Sequence, residues 1–290
     1  MLGGGTGLLR AYRRGDALVL TYHNVIPDGV APTGEVSLHI SRTQFATELD
    51  ILERTCDVVP LADVSRPSRR GRPRIAITFD DAYKGAVTIG AEELGKRGFP
   101  ATIFVPPYFV GGASFWWDAI DWPGGQGSVG PVYDRAFAEL GARDALVRRA
   151  AAEAGLGLVQ PPDYCCCASE DELRRALAIA PVTLGSHSWS HPTLPALGDA
   201  ELREELERPL RWLLERFDRV ERTLAYPYGH HSPAVMRMTR EVGYTSAVRV
   251  GGGWIRNGPT DPFRVPRFRI GPELSADGFT IVTSGLVRER

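Results

Sequence analysis

The chain has 290 residues, with 34 lysines and arginines against 35 aspartates and glutamates, and 43% of its residues are hydrophobic. A folded chain of this length buries roughly three quarters of the surface that its unfolded form exposes, so it needs no disulfides or structural metal for stability. The formal charge of -1 argues against wrapping nucleic acid, which requires an excess of Lys and Arg on one face. These values favour one large domain without a nucleic-acid partner.

The cysteines and the N-terminal segment give further exclusions. Cys165, Cys166 and Cys167 are consecutive and Cys56 lies far upstream, so neither a disulfide framework nor a thiolate metal site is indicated. The apolar stretch at residues 17–20 is too short for a signal peptide, and no segment approaches the roughly 18 apolar residues of a membrane-spanning helix. We therefore expect a cytoplasmic protein without a membrane span.

Short β-rich segments alternate with helical segments along most of the chain. The first helix, residues 41–54, has Ser41 as a possible cap and carries Phe45 and Leu49 on one face. Further helices are predicted over residues 84–97, 199–217 and 233–242. Strands are predicted over residues 18–22, 57–59, 74–79, 101–105, 182–186, 223–225, 245–249 and 264–268. This order predicts an α/β fold, a distorted (β/α)7-8 barrel, in preference to an open doubly wound sheet.

Residues 111–180 interrupt the alternation. They begin with a run rich in glycine and aromatic residues, continue through an Ala- and Arg-rich helical segment at residues 133–154, and then reach Pro161 and Pro162. We interpret residues 111–180 as a helical insertion that caps one end of the barrel. The chain is then a single domain over residues 1–290 with an inserted subdomain.

Polar residues follow four of the predicted strands, where the loops of a parallel barrel usually carry function. They are His23 after the first strand, Asp80 and Asp81 after the third, His187 and His191 after the fifth, and Tyr226 and Tyr228 after the sixth. Because the carboxyl ends of the strands meet at one end of the barrel, these side chains are expected to lie close together.

Each of these motifs is ambiguous by itself. Two histidines four residues apart also occur on surfaces, and Asp80 or Asp81 could cap the following helix. Together they are more specific, because two carboxylates after a buried apolar strand need a positive charge nearby. A divalent metal held by one carboxylate and two imidazoles would supply that charge and leave a position for water, as in catalytic zinc sites. The second carboxylate would remain free to act as a base.

In these motifs the sequence resembles the polysaccharide deacetylases that share the NodB homology domain, carbohydrate esterase family 4. The first family motif, TFDD, is present as Thr78-Phe79-Asp80-Asp81, and the second, H-[S/T]-x-x-H, as His187-Ser188-Trp189-Ser190-His191. The third, R-x-P-Y, is present as Ala225-Tyr226-Pro227-Tyr228. The resemblance covers about residues 17–270 and implies a distorted (β/α)7-type barrel.

The resemblance also implies a role for each motif residue. Asp81, His187 and His191 would bind a divalent metal, usually zinc. Asp80 would be the general base, and the backbone N–H of Tyr228 would stabilise the oxyanion of the tetrahedral intermediate. The implied reaction is the hydrolytic N-deacetylation of an N-acetylhexosamine unit in a glycan or glycoconjugate, which releases acetate.

The general acid departs from the family pattern. The late Leu-x-His motif that usually supplies it is missing, since no histidine follows His231. An early Tyr-His segment, similar to that of the poly-N-acetylglucosamine deacetylases, offers His23 instead. We favour His23 as the general acid, with His230 and His231 as competing candidates.

The sequence also departs from the family pattern at the arginine that pairs with the general base. Ala225 occupies the position of the family's Arg, which normally orients the base. Arg264 and Arg267 on the last predicted strand are candidates to replace it, and Arg267 is favoured.

Several aromatic residues are candidates for contacts with the sugar. Trp116 and Trp117 in the insertion, together with Tyr226 in the third motif, are predicted to bind substrate. Packing in the core is the alternative role of a tryptophan, and it is favoured for Trp189.

Two rival functions remain open at this stage. An amidase or deformylase acting on a small amide would use the same metal site, and a catalytically silent barrel would only bind carbohydrate. A long cleft lined by aromatic residues would favour a glycan, whereas a closed pocket under the insertion would favour a small amide. The sequence leaves open the sugar, the metal used in the cell and the oligomeric state.

Overall fold

A computed structural model of the protein describes residues 16–66, 72–123, 130–255 and 261–284. Residues 1–15, which form most of the N-terminal segment analysed above, and residues 124–129 of the predicted insertion lie outside the described residues. Within these four ranges, no helix has both the length and the apolar character needed to cross a membrane.

Seven parallel strands of the described chain form a closed barrel. In chain order the strands are β1 (Ala17–Tyr22), β2 (Asn24–Ile26), β3 (His39–Ser41), β4 (Asp57–Val58), β5 (Arg74–Phe79), β6 (Ala101–Val105), β7 (Val182–Ser186), β8 (Val220–Ala225), β9 (Ser246–Val250) and β10 (Val265–Arg269). The order around the barrel is β1-β10-β9-β8-β7-β6-β5, and the pairing of β5 with β1 closes it. The predicted (β/α) barrel is thereby confirmed.

The remaining three strands lie outside this ring. β4 pairs with the first two residues of β5, so it forms an eighth strand beside the barrel. β2 and β3 pair with each other in a separate parallel sheet. These two strands have three residues each, too few for a period of two to be visible in the sequence.

The helices of the described residues surround the barrel or form the insertion. They are α1 (Arg42–Thr55), α2 (Ala91–Arg97), α3 (Trp116–Ala119), α4 (Pro131–Ala138), α5 (Asp144–Glu153), α6 (Glu170–Ile179), α7 (Asp199–Arg216), α8 (Pro233–Val242) and α9 (Ala276–Ser284). Ser41 caps α1 as predicted, since its side chain accepts a hydrogen bond from the N–H of Gln44. The predicted helix over residues 84–97 instead begins as a π-helical turn, Ala86–Gly90, before α2.

The insertion between β6 and β7 contains α3, α4 and α5. The helical segment predicted over residues 133–154 is divided into α4 and α5, because Gly141 and Ala142 adopt positive φ angles of 58° and 51°. After them, α6 starts with a capping box and packs against α2 and β7 in the barrel wall. This last helix of residues 111–180 therefore occupies the place of an ordinary crossover helix.

The strands present different residues to the inside and the outside of the barrel. Inward residues include Ala76, Phe104, Ala225 and Val265, which belong to one apolar cluster. Neighbours such as Ile75 lie in the larger cluster between strands and helices. Because side chains alternate along a strand, residues two positions further along, such as 78, 80 and 267, also face the interior. The interior thus changes from apolar to polar toward the carboxyl ends of the strands.

Candidate metal and catalytic site

Three side chains from the ends of β5 and β7 converge at the carboxyl end of the barrel. His191 Nε2 lies 3.1 Å from His187 Nε2 and 3.2 Å from Asp81 Oδ1, and His187 Nε2 lies 3.5 Å from the same oxygen. All three residues are buried. Within the described chain they form the one group of three or more His, Cys, Asp or Glu residues placed to hold a metal ion.

The donor set fits a divalent metal. Ligand bonds of about 2.0–2.1 Å in a tetrahedral site place ligand atoms about 3.4 Å apart, close to the three separations above. Asp81 Oδ1 is buried and has no hydrogen-bond partner, as expected of an oxygen atom that can act as a metal ligand. His187 Nδ1 lies 2.9 Å from the carbonyl oxygen of Ala225, which can only accept, so Nδ1 carries the proton and Nε2 presents its lone pair. Burial lowers the pKa of both histidines, which keeps them neutral as ligands must be.

The backbone around these residues is strained. Five of the six non-glycine residues with positive φ in the described chain lie here, and they are Asp81, Ala82, Ser188, His191 and Tyr228. A left-handed conformation costs a residue with a side chain about 1 kcal/mol or more. Strain of this kind collects at functional sites, where the surrounding structure holds side chains in a required geometry.

Asp80 is held by a buried arginine from β10. Arg267 donates from Nη1 and Nη2 to the two oxygens of Asp80, both at 2.7 Å, and from Nη1 to the Thr78 hydroxyl at 3.1 Å. Burial raises the pKa of Asp80, but the charge of Arg267, the neighbouring His187 and the hydrogen bonds from Arg267 together outweigh burial and lower this pKa below its ordinary value. Of the two candidate arginines, the structure therefore brings Arg267 to the base position, where it is 0% exposed.

Of the three candidate histidines for the general acid, the structure brings one to the cavity beside Asp80. His23 lines this cavity, and its Nδ1 is buried without a hydrogen-bond partner. Burial lowers the pKa of His23 to about 3, so its imidazole is neutral at neutral pH. His230 instead contacts the ring of Phe137, and His231 stacks on Tyr226 outside the cavity lining.

The insertion supplies an aromatic wall to the same cavity, which encloses about 210 Å³. Its residues are Trp116 and Trp117 of α3 and Tyr133 and Phe137 of α4. Trp117 lies 5.1 Å from the ring of His191 and stacks on Phe115 at 4.6 Å. Of the two predicted substrate-contacting tryptophans, Trp117 therefore lies directly against the candidate ligand His191, and Trp116 packs behind it. Glu35, Ser37 and Leu38 also line the cavity.

Tyr226 does not line this cavity, so the structure does not bring it to the other candidate site residues. Its side chain is buried in a cluster on the outside of β8, and its hydroxyl donates to the carbonyl of Phe263 at 3.1 Å. The reason is the alternation of the strand, since Ala225 faces inward and the next residue faces outward. Tyr228, two residues later, does line the cavity. The loop that holds it is fixed by Gly229, where a Cβ would approach the Val250 nitrogen to 2.9 Å.

A hydrogen-bonded chain that the sequence reasoning missed holds Trp117. Trp117 Nε1 donates to the Tyr83 hydroxyl at 2.8 Å, and Tyr83 donates to Asp118 Oδ2 at 2.5 Å. Asp118 also accepts the backbone N–H of Glu35 at 3.0 Å, which ties the insertion to the segment that contains Glu35. The sequence does contain a signal for these hydrogen bonds. Asp118 directly follows Trp116 and Trp117, and a carboxylate buried among apolar residues requires hydrogen-bond donors.

Comparisons with known proteins agree with this arrangement. The family model described as polysaccharide deacetylase matches residues 68–247, more than half of the chain. Similar solved structures include IcaB from Ammonifex degensii, with 20% identity, 94% of this chain and 98% of that chain covered, and a TM-score of 0.64. Another is the deacetylase PplD of Streptococcus pyogenes in complex with acetate, with 14% identity, 92% and 98% coverage and a TM-score of 0.63.

A third similar structure is the polysaccharide deacetylase BC0361 from Bacillus cereus, with 18% identity, 92% of this chain and 69% of that chain covered, and a TM-score of 0.64. At these identities the likeness shows a shared fold. No curated protein matches the sequence.

Proposed function

Because the chain belongs to the polysaccharide deacetylase family, we propose that it is a metal-dependent hydrolase that removes acetyl groups from an N-acetylhexosamine unit of a glycan or glycoconjugate. The observation that carries the proposal is the convergence of Asp81, His187 and His191 beside an Asp80 that Arg267 keeps ionised. A structural metal site would have no use for a second, separately oriented carboxylate. The three ligands suit Zn²⁺.

The first half of the reaction uses Asp80 as the base. When bound, a divalent metal supplies a Lewis acid that makes water more acidic and polarises an amide carbonyl. Asp80 accepts the proton of the attacking water, and the two hydrogen bonds from Arg267 fix the direction of its oxygens. The backbone N–H of Tyr228, in a loop fixed against Val250, donates to the developing oxyanion.

The second half requires a proton for the leaving amine. His23 lines the cavity beside Asp80 and is proposed to donate it. Since the pKa of His23 is lowered to about 3, its ring is neutral in the free enzyme and takes up its proton during the reaction. The proton that Asp80 removes from water is the available source. The C–N bond then breaks and the amine leaves with this proton, while the acetic acid that forms loses its hydroxyl proton to solvent and leaves as acetate.

The aromatic wall favours a sugar as the substrate. Trp116 and Trp117 line the cavity, Trp117 lies beside His191, and sugar rings carry apolar C–H faces that pack on aromatic surfaces. Glu35 and Ser37, which also line the cavity, offer polar groups to hydroxyls. These contacts would hold one N-acetylated unit with its acetamido group at the metal.

The size of the cavity supports one alternative. A space of about 210 Å³ also suits a small amide, on which an amidase or deformylase would act with the same residues. The position of Trp116 and Trp117 in the wall is the feature that makes us prefer the sugar.

The test is acetate release from a panel of N-acetylated saccharides of increasing length, with simple N-acetyl and N-formyl amides alongside. We expect release from saccharides that requires added Zn²⁺, stops with a chelator and falls at least about 100-fold in Asp80→Ala, since general bases contribute factors of this size. Release from the simple amides alone would establish the alternative. A wild-type protein that is inactive on every substrate, or unaffected by chelation, would refute the proposal.

A further inference from the structure

The carboxylate of Glu205 contacts the segment that joins the two histidine ligands. Glu205 lies on α7 in the barrel wall and is 8% exposed. Its Oε2 accepts the backbone N–H groups of Trp189 and Ser190, both at 2.9 Å, and its Oε1 accepts the Ser190 hydroxyl at 2.6 Å. Both oxygens of a buried carboxylate are therefore used on two adjacent residues of one loop.

This loop needs such an anchor because its backbone is unfavourable. Ser188 and His191 both have a φ of 61°, which residues with side chains rarely adopt. Inside the loop, the N–H of His191 donates to the Ser188 hydroxyl at 3.0 Å. Trp189 and Ser190, the two residues between these strained positions, are the ones that Glu205 holds. The contact thus connects a wall helix to the strained turn that orients His191.

We propose that Glu205 is a positioning residue that sets the affinity of the site for its divalent metal. It holds residues 188–191 in the strained conformation in which the two Nε2 atoms lie 3.1 Å apart and face Asp81. Without this anchor the turn relaxes, and His191 no longer shares a centre with the other two ligands. Groups behind metal ligands commonly change affinity by about 10- to 100-fold. The inference rests on the metal site of the proposed function.

A purely structural role is the competing explanation, and metal affinity separates the two. Glu93 provides a matched control, since it is also a buried carboxylate on a wall helix, and it accepts hydrogen bonds from Arg42, Lys96 and Arg97 away from the cavity. Removal of either carboxylate should lower the thermal stability of the metal-free protein. Only the removal of Glu205 should weaken metal binding.

The experiment measures the Zn²⁺ dissociation constant by competition with a chromogenic chelator, together with the Tm of the metal-free protein. We expect Glu205→Ala to bind Zn²⁺ about 10- to 100-fold more weakly than wild type and Glu93→Ala to bind within twofold of it. Glu205→Gln should recover most of the affinity, since its amide oxygen can accept both N–H groups. Glu205→Asp should not, because its carboxylate is one methylene too short to reach the loop.

A Glu205→Ala protein that binds Zn²⁺ within twofold of wild type, with a Tm lowered as in Glu93→Ala, would overturn the proposal. If Glu205→Ala does not fold, the comparison of Glu205→Asp with Glu205→Gln takes its place. Equal Zn²⁺ affinity in these two variants would overturn the proposal. Acetate release by the wild type is measured in a separate assay. If the wild type releases no acetate but the variants show the expected differences in Zn²⁺ affinity, the proposed function is refuted and the role of Glu205 is not. A wild-type protein that binds no Zn²⁺ would refute both.

Discussion

The carboxyl end of the barrel and its outer wall both bury carboxylates, but they balance the charge in opposite ways. On the wall, Glu93 is buried, which by itself raises its pKa, yet hydrogen bonds from Lys96, Arg97 and Arg42 lower the pKa to about 2. Each of its oxygens has a cationic partner. This carboxylate is fully compensated by the chain itself.

At the carboxyl end, Asp81 lacks such compensation. Burial, followed by the charges of Asp80 and Asp118, raises its pKa well above the ordinary value. Its Oδ1 has no hydrogen-bond partner, while Arg267 is occupied by Asp80. The difference separates a carboxylate that the chain itself neutralises from one that remains available to bind a cation.

The strongest test of this contrast is Asp81→Asn. Removal of a ligand should reduce zinc-dependent acetate release by more than about 100-fold, because even groups behind the ligands matter up to that level. The Tm of the metal-free protein should stay the same or rise, since a neutral amide relieves the like charges around Asp81. Activity and calorimetry on the same preparation check both parts.

The matched substitution on the wall is Glu93→Gln, which should lower the Tm and leave acetate release unchanged. A marked loss of Tm in Asp81→Asn, or retention of a tenth of the wild-type rate, would contradict the division between site and wall.

Removal of Arg267 tests the contribution of Asp80, the carboxylate of the site whose charge is balanced by an arginine. Arg267→Ala leaves the buried Asp80 without its cation, so the free energy of unfolding should fall by about 3–5 kcal/mol. Acetate release should also fall, because the base loses its orientation. Chemical denaturation and steady-state kinetics measure the two effects.

The corresponding change on the wall is Arg42→Ala, whose partially exposed side chain shares Glu93 with two other cations. It should cost less than about 1 kcal/mol. Equal losses in the two variants would mean that the buried pair is no stronger than a surface ion pair.

A further test uses Glu48, a wall carboxylate that forms no ion pair with the residues that the structure describes. Burial raises its pKa to about 7, although Gln44 and the Tyr22 hydroxyl donate hydrogen bonds to it. A raised pKa means that the folded chain binds the proton more tightly than the unfolded chain. The stabilisation is therefore complete below about pH 4.5 and is lost as the pH rises through about 7, by about 3 kcal/mol.

Urea denaturation at pH 5 and pH 8 measures this slope. Glu48→Gln should remove it, since the amide does not titrate, and the stability of the variant should exceed that of wild type at pH 8. A variant with the same pH slope as wild type would show that Glu48 is not the group responsible.

Much of the fold followed from local patterns. The segment RIAITF is buried at all six positions, and the structure has a strand there with the predicted bounds. Helix 233–242 likewise matches α8, which Ser232 caps and Gly243 ends with a left-handed C-cap. The division at Gly141 and Ala142 was not foreseen, because Ala142 carries no sequence signal for the positive φ that it adopts.

Some residues of the candidate site could likewise be predicted from local sequence patterns, and others were not. Asp80, Asp81, His187 and His191 could be predicted to lie together because they belong to the segments that follow β5 and β7, and parallel strands bring such segments to one end of the barrel. Tyr226 could have been placed correctly from the same periodicity, since it alternates with the inward Ala225. The motif alone does not distinguish it from Tyr228, which does line the cavity.

The sequence by itself thus predicted the barrel and the candidate metal-binding and basic residues that it gathers. The sequence narrowed the partner of Asp80 to Arg264 or Arg267, and the tertiary structure decided for Arg267. Only the tertiary structure revealed Glu205 at the histidine loop and the Tyr83–Asp118 chain at Trp117. Arg267 and Asp80 are 187 residues apart. Such partners come from packing between distant segments, where hydrogen-bond geometry and burial decide the pairing, and no local periodicity records it.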